Sequence, residues 1–433
     1  MAGTAVLTRS YDNARTGSCT SETTLTPAAV LGRGLKRVRS FAVDDDPRIE
    51  AQPLYVPGIR MPDGKAHDVL FVATMGNHVW AFDVNGDGVW KTPQLGTPFT
   101  PKETQKPGHH RSTTIDAWGI NISWGILSTP VIDLDAGRMY LVNWMLQRSG
   151  KPALFAHRID LSTMTEVGAP EPITAQQSDP GRPSTTVQGK PVTLQPDQRQ
   201  RAALLLVPLR GLHKTLFVCT AGGENPGAPH GWMVAFDVDT FKQTASWVST
   251  PSSFGGGMWQ ASQGPAADEK GNVYAITGNG GYVTDHKDKI RDFNGDTDFA
   301  EAVVKLAYEK QGNGHRLTLS DWFIPFRDSD RNTIERTSHC APGSWTRTRV
   351  RLPSSRVAPR WPRRRRRPAR PALAVCLARC WRSRPTASRW TPASYGRSPR
   401  LTATRTVTWS RASPAPTTQS TWTRIRSICR RRG

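Results

Sequence analysis

Three segments of this chain end alike, and their spacing constrains the fold more than any other feature. Val79-Trp80-Ala81-Phe82-Asp83, Phe155-Ala156-His157-Arg158-Ile159-Asp160 and Met233-Val234-Ala235-Phe236-Asp237 each close an apolar run on an aspartate, and the aspartates stand 77 residues apart in both intervals. Val303-Val304-Lys305-Leu306-Ala307 is a fourth, weaker copy. A second element repeats out of phase with the first. Trp124, Pro130 and Asp133 lead through Gly137 to Met139-Tyr140, and Trp259, Pro265 and Asp268 lead through Gly271 to Val273-Tyr274. Gln52-Pro53 opens a shorter copy. Self-similarity on this scale belongs to repeat architectures, in which no unit buries its own faces.

The units read as strands. Candidates are 69–75, 78–84, 138–146, 153–160, 203–209, 215–221, 232–238, 272–278 and 302–308, and no long amphipathic helix competes with them. With 37 Gly and 34 Pro in 433 residues the chain is rich in turns. No stretch approaches the roughly 18 apolar residues that a membrane-spanning helix needs. The expected fold is all-β: a β-propeller of four-stranded antiparallel blades, about four of them legible within residues 8–330, and incomplete. A parallel solenoid is the runner-up, but its repeats are shorter and lack such long loops. A broken ring would expose the edge strand and apolar face of its last blade, an aggregation liability.

Charge divides the chain in two. Its formal net charge is +23, which by itself suggests a nucleic-acid or other acidic partner. Residues 337–433, however, hold 24 Arg and no Lys, Asp or Glu, which leaves residues 1–336 with 34 basic and 35 acidic side chains. The same stretch has four of the six cysteines and six of the 15 tryptophans, with no apolar periodicity. Basic arms use Lys as well as Arg, and disordered tails avoid Trp and Cys. This composition is what a GC-rich coding sequence yields out of frame. Read with each codon's third base joined to the next two, Arg389 to Gly396 permits Val-Asp-Ala-Gly-Lys-Leu-Trp, and Trp390 followed by Thr391 forces the Asp. A frameshift between about residues 331 and 347 is therefore the expectation, with 337–433 an unstructured basic tail. The rival readings are a nucleic-acid or nuclear-targeting patch at Arg363–Arg367 and half a zinc site at Cys376 and Cys380, which lacks a second pair.

Ala81-Phe82-Asp83 through Gly88-Val89-Trp90 resembles the Ala-x-Asp…Gly-x-x-Trp repeat of the pyrroloquinoline-quinone-type (quinoprotein alcohol dehydrogenase-like) β-propeller family. The shifted-frame heptapeptide resembles the same repeat. Tyr11-Asp12-Asn13-Ala14-Arg15-Thr16-Gly17 and the Trp124–Asp133 stretch are similar to bacterial members of this superfamily. The resemblance covers about residues 8–330 and implies a fold, an extracytoplasmic location, and pyrroloquinoline quinone and Ca²⁺ as cofactors. Residues 1–10 hold only one basic residue and a short apolar run, too little for a signal peptide. In dehydrogenases of the superfamily the quinone stacks between a tryptophan and a disulfide of adjacent cysteines, above the Ca²⁺. Here no two cysteines are adjacent, and Cys19 and Cys219 are the only ones before residue 337. The fold therefore does not carry the chemistry with it.

Candidate site residues follow from side-chain type. Trp118, Trp124, Trp144, Trp232 and Trp259 flank strand ends, where aromatics line a propeller mouth and stack on a sugar or quinone, or else fill gaps between blades; Trp118, Trp124 and Trp259 are the cofactor-binding candidates. Asp292, Asn294, Asp296 and Asp298 alternate oxygen ligands along one loop, as a hard cation requires; a solvated loop is the plainer reading. Asp83, Asn85 and Asp87 match the start of an EF-hand, but Gln94 stands where the closing carboxylate belongs, so a turn leading to Trp90 explains them better. His109-His110 has no evident third ligand. No Gly-x-Ser-x-Gly elbow and no phosphate-binding glycine loop occurs. The expected function is non-enzymatic, with propeller loops presented to a protein or carbohydrate partner. The alternatives are a quinone-dependent alcohol or sugar dehydrogenase whose cofactor residues are partly lost, and nucleic-acid binding through the tail.

Overall fold

The computed structural model describes residues 3–46, 48–99, 123–175, 186–187, 190–194, 198–209, 213–221, 230–278, 280–281, 295–312 and 314–324. Trp118, His109, His110, Asp292, Asn294 and residues 337–433 lie outside them. The described residues contain one short helix, α1 (Pro27–Arg33), opened by the Thr26 hydroxyl, which accepts from the Ala29 amide; the rest of the regular structure is almost entirely strand.

Four sheets follow one another along the chain, each a four-stranded antiparallel meander. The first is β1 (Leu54–Arg60), β2 (Ala66–Ala73), β3 (Val79–Asp83) and β4 (Val89–Lys91). The second is β5 (Val131–Asp133), β6 (Arg138–Leu146), β7 (Pro152–Asp160) and β8 (Thr165–Glu166), with β9 (Glu171–Pro172) also paired to β7. A small hairpin, β10 (Thr186–Val187) and β11 (Lys190–Pro191), precedes the third sheet. That sheet is β12 (Leu205–Pro208), β13 (Lys214–Thr220), β14 (Trp232–Asp237) and β15 (Lys242–Val248). Then β16 (Phe254–Gly255) pairs with β19 (Gly280–Gly281), around a fourth sheet of β17 (Ala266–Ala267), β18 (Val273–Ile276), β20 (Val303–Gln311) and β21 (Gly314–Phe323). Antiparallel pairing in every sheet rules out the parallel solenoid. The four repeat copies become the third strands, β3, β7, β14 and β20.

The repeated aspartates build turns. Asp83, Asp160 and Asp237 end their strands with a side-chain oxygen accepting the amide two residues on, at 2.8, 2.9 and 2.8 Å. Asp133 and Asp268 do the same between the first and second strands, at 3.1 and 2.9 Å, and Gly137 and Gly271 then take the left-handed conformation that closes each hairpin. The Asp83 loop is thus a turn: its carboxylate holds Asn85 and His67, and Trp90 packs on the apolar cluster shared by the first two sheets.

Alternation on the strands then stacks the sheets face to face in chain order. On β6, Met139 and Leu141 join Val69, Phe71 and Val79 of the first sheet, whereas Tyr140 and Val142 join Leu216, Val218 and Val234 of the third. On β13, Phe217 and Cys219 face the other way, toward Val273, Val304 and Leu306 of the fourth. Both faces of the middle sheets are buried, which is why their strands read as near-continuous apolar runs. Each large apolar side chain so placed contributes about 1.5–3 kcal/mol. The outward face of the first sheet is covered by Phe41 and Val43, which pack on Trp80 and Phe82.

The first strands lie innermost, β12 beside both β5 and β17. The N-terminal segment crosses all four of them. Val6 forms a bridge with Tyr55, Leu7 accepts the Ile132 amide at 2.8 Å, and Asn13 donates to the Leu206 carbonyl while accepting the Ala267 amide, both at 2.7 Å. Arg15, 5% exposed, donates to the carbonyls of Leu204, Pro265 and Arg9 and to the Thr8 hydroxyl. Burial lowers its pKa to about 10.

Candidate functional site

Meander topology puts the links between first and second and between third and fourth strands at one end of the sheets, and the remaining links, every long one among them, at the other. At the short end no connection exceeds five residues, and several carry the aspartate turns. At the long end, the links from sheet to sheet run 39, 38 and 17 residues, and the loop between β18 and β20 runs 26. Of the candidate residues that are described, Trp124, Trp259, Asp296 and Asp298 all belong to the long end.

There the chain brings two of the candidate tryptophans to one cation. Trp124 precedes β5 by seven residues, Arg199 precedes β12 by six, and Trp259 precedes β17 by seven. The Arg199 guanidinium carbon lies 5.6 Å from the Trp124 ring centre and 5.8 Å from that of Trp259, so one cation joins the approaches to three successive inner strands. Each member is fixed by its backbone. Trp124 exchanges two hydrogen bonds with Phe99 (2.7 and 3.0 Å), Arg199 exchanges two with Ala221 (2.7 and 3.0 Å), and Met258, next to Trp259, donates to the Thr220 carbonyl at 3.0 Å.

Exposure separates the two indoles. Trp124 is 4% exposed and meets Trp144 edge to face, the ring centres 5.6 Å apart, in the core between the second and third sheets. Trp232 fills the same core. Trp259 is only half-buried. Gln260, Ala261 and Ser262 follow it with φ of 48, 46 and 70°, three consecutive non-glycine residues in the left-handed region. Strain of this kind costs about 1–3 kcal/mol per residue and gathers where a side chain must be aimed. The turn is pinned by Gln263, whose amide nitrogen donates to the Ser10 hydroxyl at 2.6 Å and whose amide oxygen accepts from Arg9 at 3.3 Å.

The surroundings are rich in donors. The indole N–H groups of Trp124, Trp144 and Trp232 are buried without a hydrogen-bond partner, as is the Thr220 hydroxyl. His230, buried two residues before Trp232, meets the Thr250 carbonyl through Nδ1 at 2.9 Å, and burial pushes its pKa below the ordinary histidine value.

The acidic loop divides. Asp298 is buried and accepts from the Ser252 amide (2.9 Å), the Ser253 hydroxyl (3.0 Å) and the Thr297 hydroxyl (2.7 Å), so it holds the loop to the preceding link. Asp296 is exposed. Among the described residues no three His, Cys, Asp or Glu side chains converge as a cation would need, and Cys219, in the core with its thiol pKa pushed up by burial, and half-buried Cys19 are both free thiols. Among the described residues these donors do not make a Ca²⁺ site of the kind a quinone would sit above. Arg199 is the site residue that sequence reasoning missed. It stands six residues before its inner strand, one short of the offset that Trp124 and Trp259 share.

No protein-family model matches the chain, and no curated protein sequence does. Among solved structures it is similar to quinohemoprotein alcohol dehydrogenase from Comamonas testosteroni, with 15% identity and a TM-score of 0.44, over 73% of this chain and 45% of that one. A europium-containing methanol dehydrogenase matches with 13% identity and a TM-score of 0.43, over 70% and 46%. A quinohemoprotein alcohol dehydrogenase from Pseudomonas putida HK5 matches with 16% identity and a TM-score of 0.36, over 65% and 35%. The chain spans less than half the length of each.

Proposed function

We propose that this chain is an incomplete quinoprotein-like β-propeller that acts as a binding module, presenting its long-loop end to a protein or carbohydrate partner, and that it is not a redox enzyme. One observation carries the reading: the long-loop end gathers Trp124 and Trp259 around Arg199, an aromatic and cationic platform. Half-exposed tryptophan on a rigid loop is a contact surface that needs no reacting group. Against the dehydrogenase alternative stand the lack of adjacent cysteines in the sequence and the donor set described above. Titrating the purified protein with pyrroloquinoline quinone and Ca²⁺ tests this directly. No absorbance shift and no oxidation of alcohols or sugars is expected; a shift accompanied by turnover would establish the dehydrogenase.

The same proposal assigns residues from about 337 onward to a shifted reading frame, so that the +23 charge is no part of the working surface. Sequencing the genomic DNA across codons 325–350 checks it. An in-frame read would make the arginine-rich tail genuine and nucleic-acid binding the first activity to assay.

A further inference from the structure

We infer that the fourth sheet is held on the third by a proton-sensitive latch built around His315, closed while that imidazole is neutral and loosened when it takes up a proton. The latch lies at the short-loop end of the sheets and is independent of the binding-module reading.

Side chains of both sheets meet there. His213, at the entry to β13, reaches the Asp237 carboxylate at the end of β14 through Nδ1 at 3.2 Å. From the fourth sheet, the Tyr308 hydroxyl of β20 lies 2.7 Å from the Thr244 hydroxyl of β15 and 3.4 Å from His213 Nε2. His315, on β21, stacks on the Tyr308 ring with centres 5.0 Å apart and planes 7° apart, and meets His213 edge to face at 5.0 Å. Its Nε2 is shut off from solvent and has no hydrogen-bond partner. A neutral ring with its proton on Nδ1 leaves only a bare lone pair at that atom, whereas protonation puts a buried, charged donor there without an acceptor. The surrounding charges give little relief. Asp237 is engaged by His213 and by the amides of Asp239 and Thr240. Lys310, registered opposite His315 on β20, adds a like charge. Lys214 pairs with Asp133 and Asp135, Lys242 of β15 pairs with Glu171, and Glu309 and Arg316, registered opposite each other, belong to the other face of the sheet. Burial, and then His213, accordingly hold the His315 pKa below the ordinary histidine value. A lowered folded value means that the latch's contribution is complete above the unfolded pKa, about 6.5, and is lost as pH falls through it toward the folded one. Loosening would part Val304 and Leu306 of the fourth sheet from Phe217 and Cys219 of the third.

The test is amide hydrogen exchange of the full chain at about pH 7.5 and about pH 5, each corrected for intrinsic exchange rates. At the lower pH, β20 and β21 are expected to lose about threefold or more of their protection, while β2 and β3 of the first sheet keep theirs. In His315→Phe, which keeps a ring on Tyr308 and has nothing to protonate, that loss should disappear. NMR titration of the His315 ring protons in the unmodified chain covers the case of a variant that does not fold. A midpoint below about 6.5 is expected, and one at or above it overturns the latch. Equal protection of β20 and β21 at both pH values overturns it as well. A loss that persists in His315→Phe overturns the role of His315 and moves the sensitivity to another group. A loss spread evenly over all four sheets overturns a local latch and leaves acid unfolding of the whole molecule.

Discussion

His67 is clamped between two carboxylates. Its Nδ1 donates to Asp83 at 2.8 Å and its Nε2 to Asp63 at 2.9 Å, an arrangement that needs both ring protons. The bond to Asp83, then that to Asp63, holds the His67 pKa above the ordinary histidine value. A raised folded value means that the clamp's contribution is complete below the unfolded pKa, about 6.5, and is lost as pH rises through the folded one. Titration of the His67 ring protons by NMR should therefore give a midpoint above about 6.5 that falls in Asp63→Asn. A midpoint at or below the unfolded value would mean that the clamp does not form in solution. The same residue shows why Asp83 is no calcium ligand: its oxygens already serve a turn and an imidazole.

At the scale of the elements, the long-loop end depends on backbone packed too closely for side chains. A β-carbon at Gly231 would lie 1.9 Å from the Gly256 carbonyl oxygen, so Gly231→Ala must push apart β14 and the link that leads to Trp259. A loss of about 1–3 kcal/mol in chemical denaturation is expected, with altered tryptophan fluorescence. Ala261→Gly should act in the opposite sense, adding up to about 1 kcal/mol by relieving left-handed strain, while loosening the Trp259 loop. The sequence delimited the second and third strands of each sheet and, among the innermost ones, only 203–209; β1, β5 and β17 were marked by no more than the proline of the second repeat. Strands buried on both faces, such as 138–146, appear as apolar runs with sharp ends. The outermost strands escaped notice, and their exposure explains it. β4 is three residues long with Val89 and Lys91 exposed, β8 is two residues long, and β21 alternates little because few of its side chains are buried. At the candidate site the tryptophans were legible as large aromatics at repeated offsets. Arg199 was not, because no periodicity or motif distinguishes one arginine before a strand from any other.

At the scale of the molecule, stacked repeats touch only their neighbours, so their stability is close to a sum of local terms and they melt in parts. The segment Val6–Arg15 alters that here, since it bonds to the inner strand of every sheet. Removing residues 3–15 should turn one cooperative thermal transition into a broad or stepped one. The ratio of calorimetric to van 't Hoff enthalpy would then rise above about 1. A deletion that lowers the midpoint but leaves a single sharp transition would show that the interfaces between sheets suffice for cooperativity. The two outer faces also differ: Phe41 and Val43 cover the first sheet, while Ile276 of the fourth sheet is 57% exposed.

That crossing segment also sets an order of events during synthesis. Its partners Leu206 and Ala267 lie about 200 and 250 residues downstream, so the segment waits until the fourth sheet has emerged before it can dock. Until then each sheet can form and come apart almost on its own. Docking of Val6–Arg15 is then the step that commits the four sheets, a checkpoint made early and read only when β17 has arrived. Closing contacts over such sequence distances is slow. The arrangement therefore predicts early, local sheet formation followed by a late and rate-limiting lock.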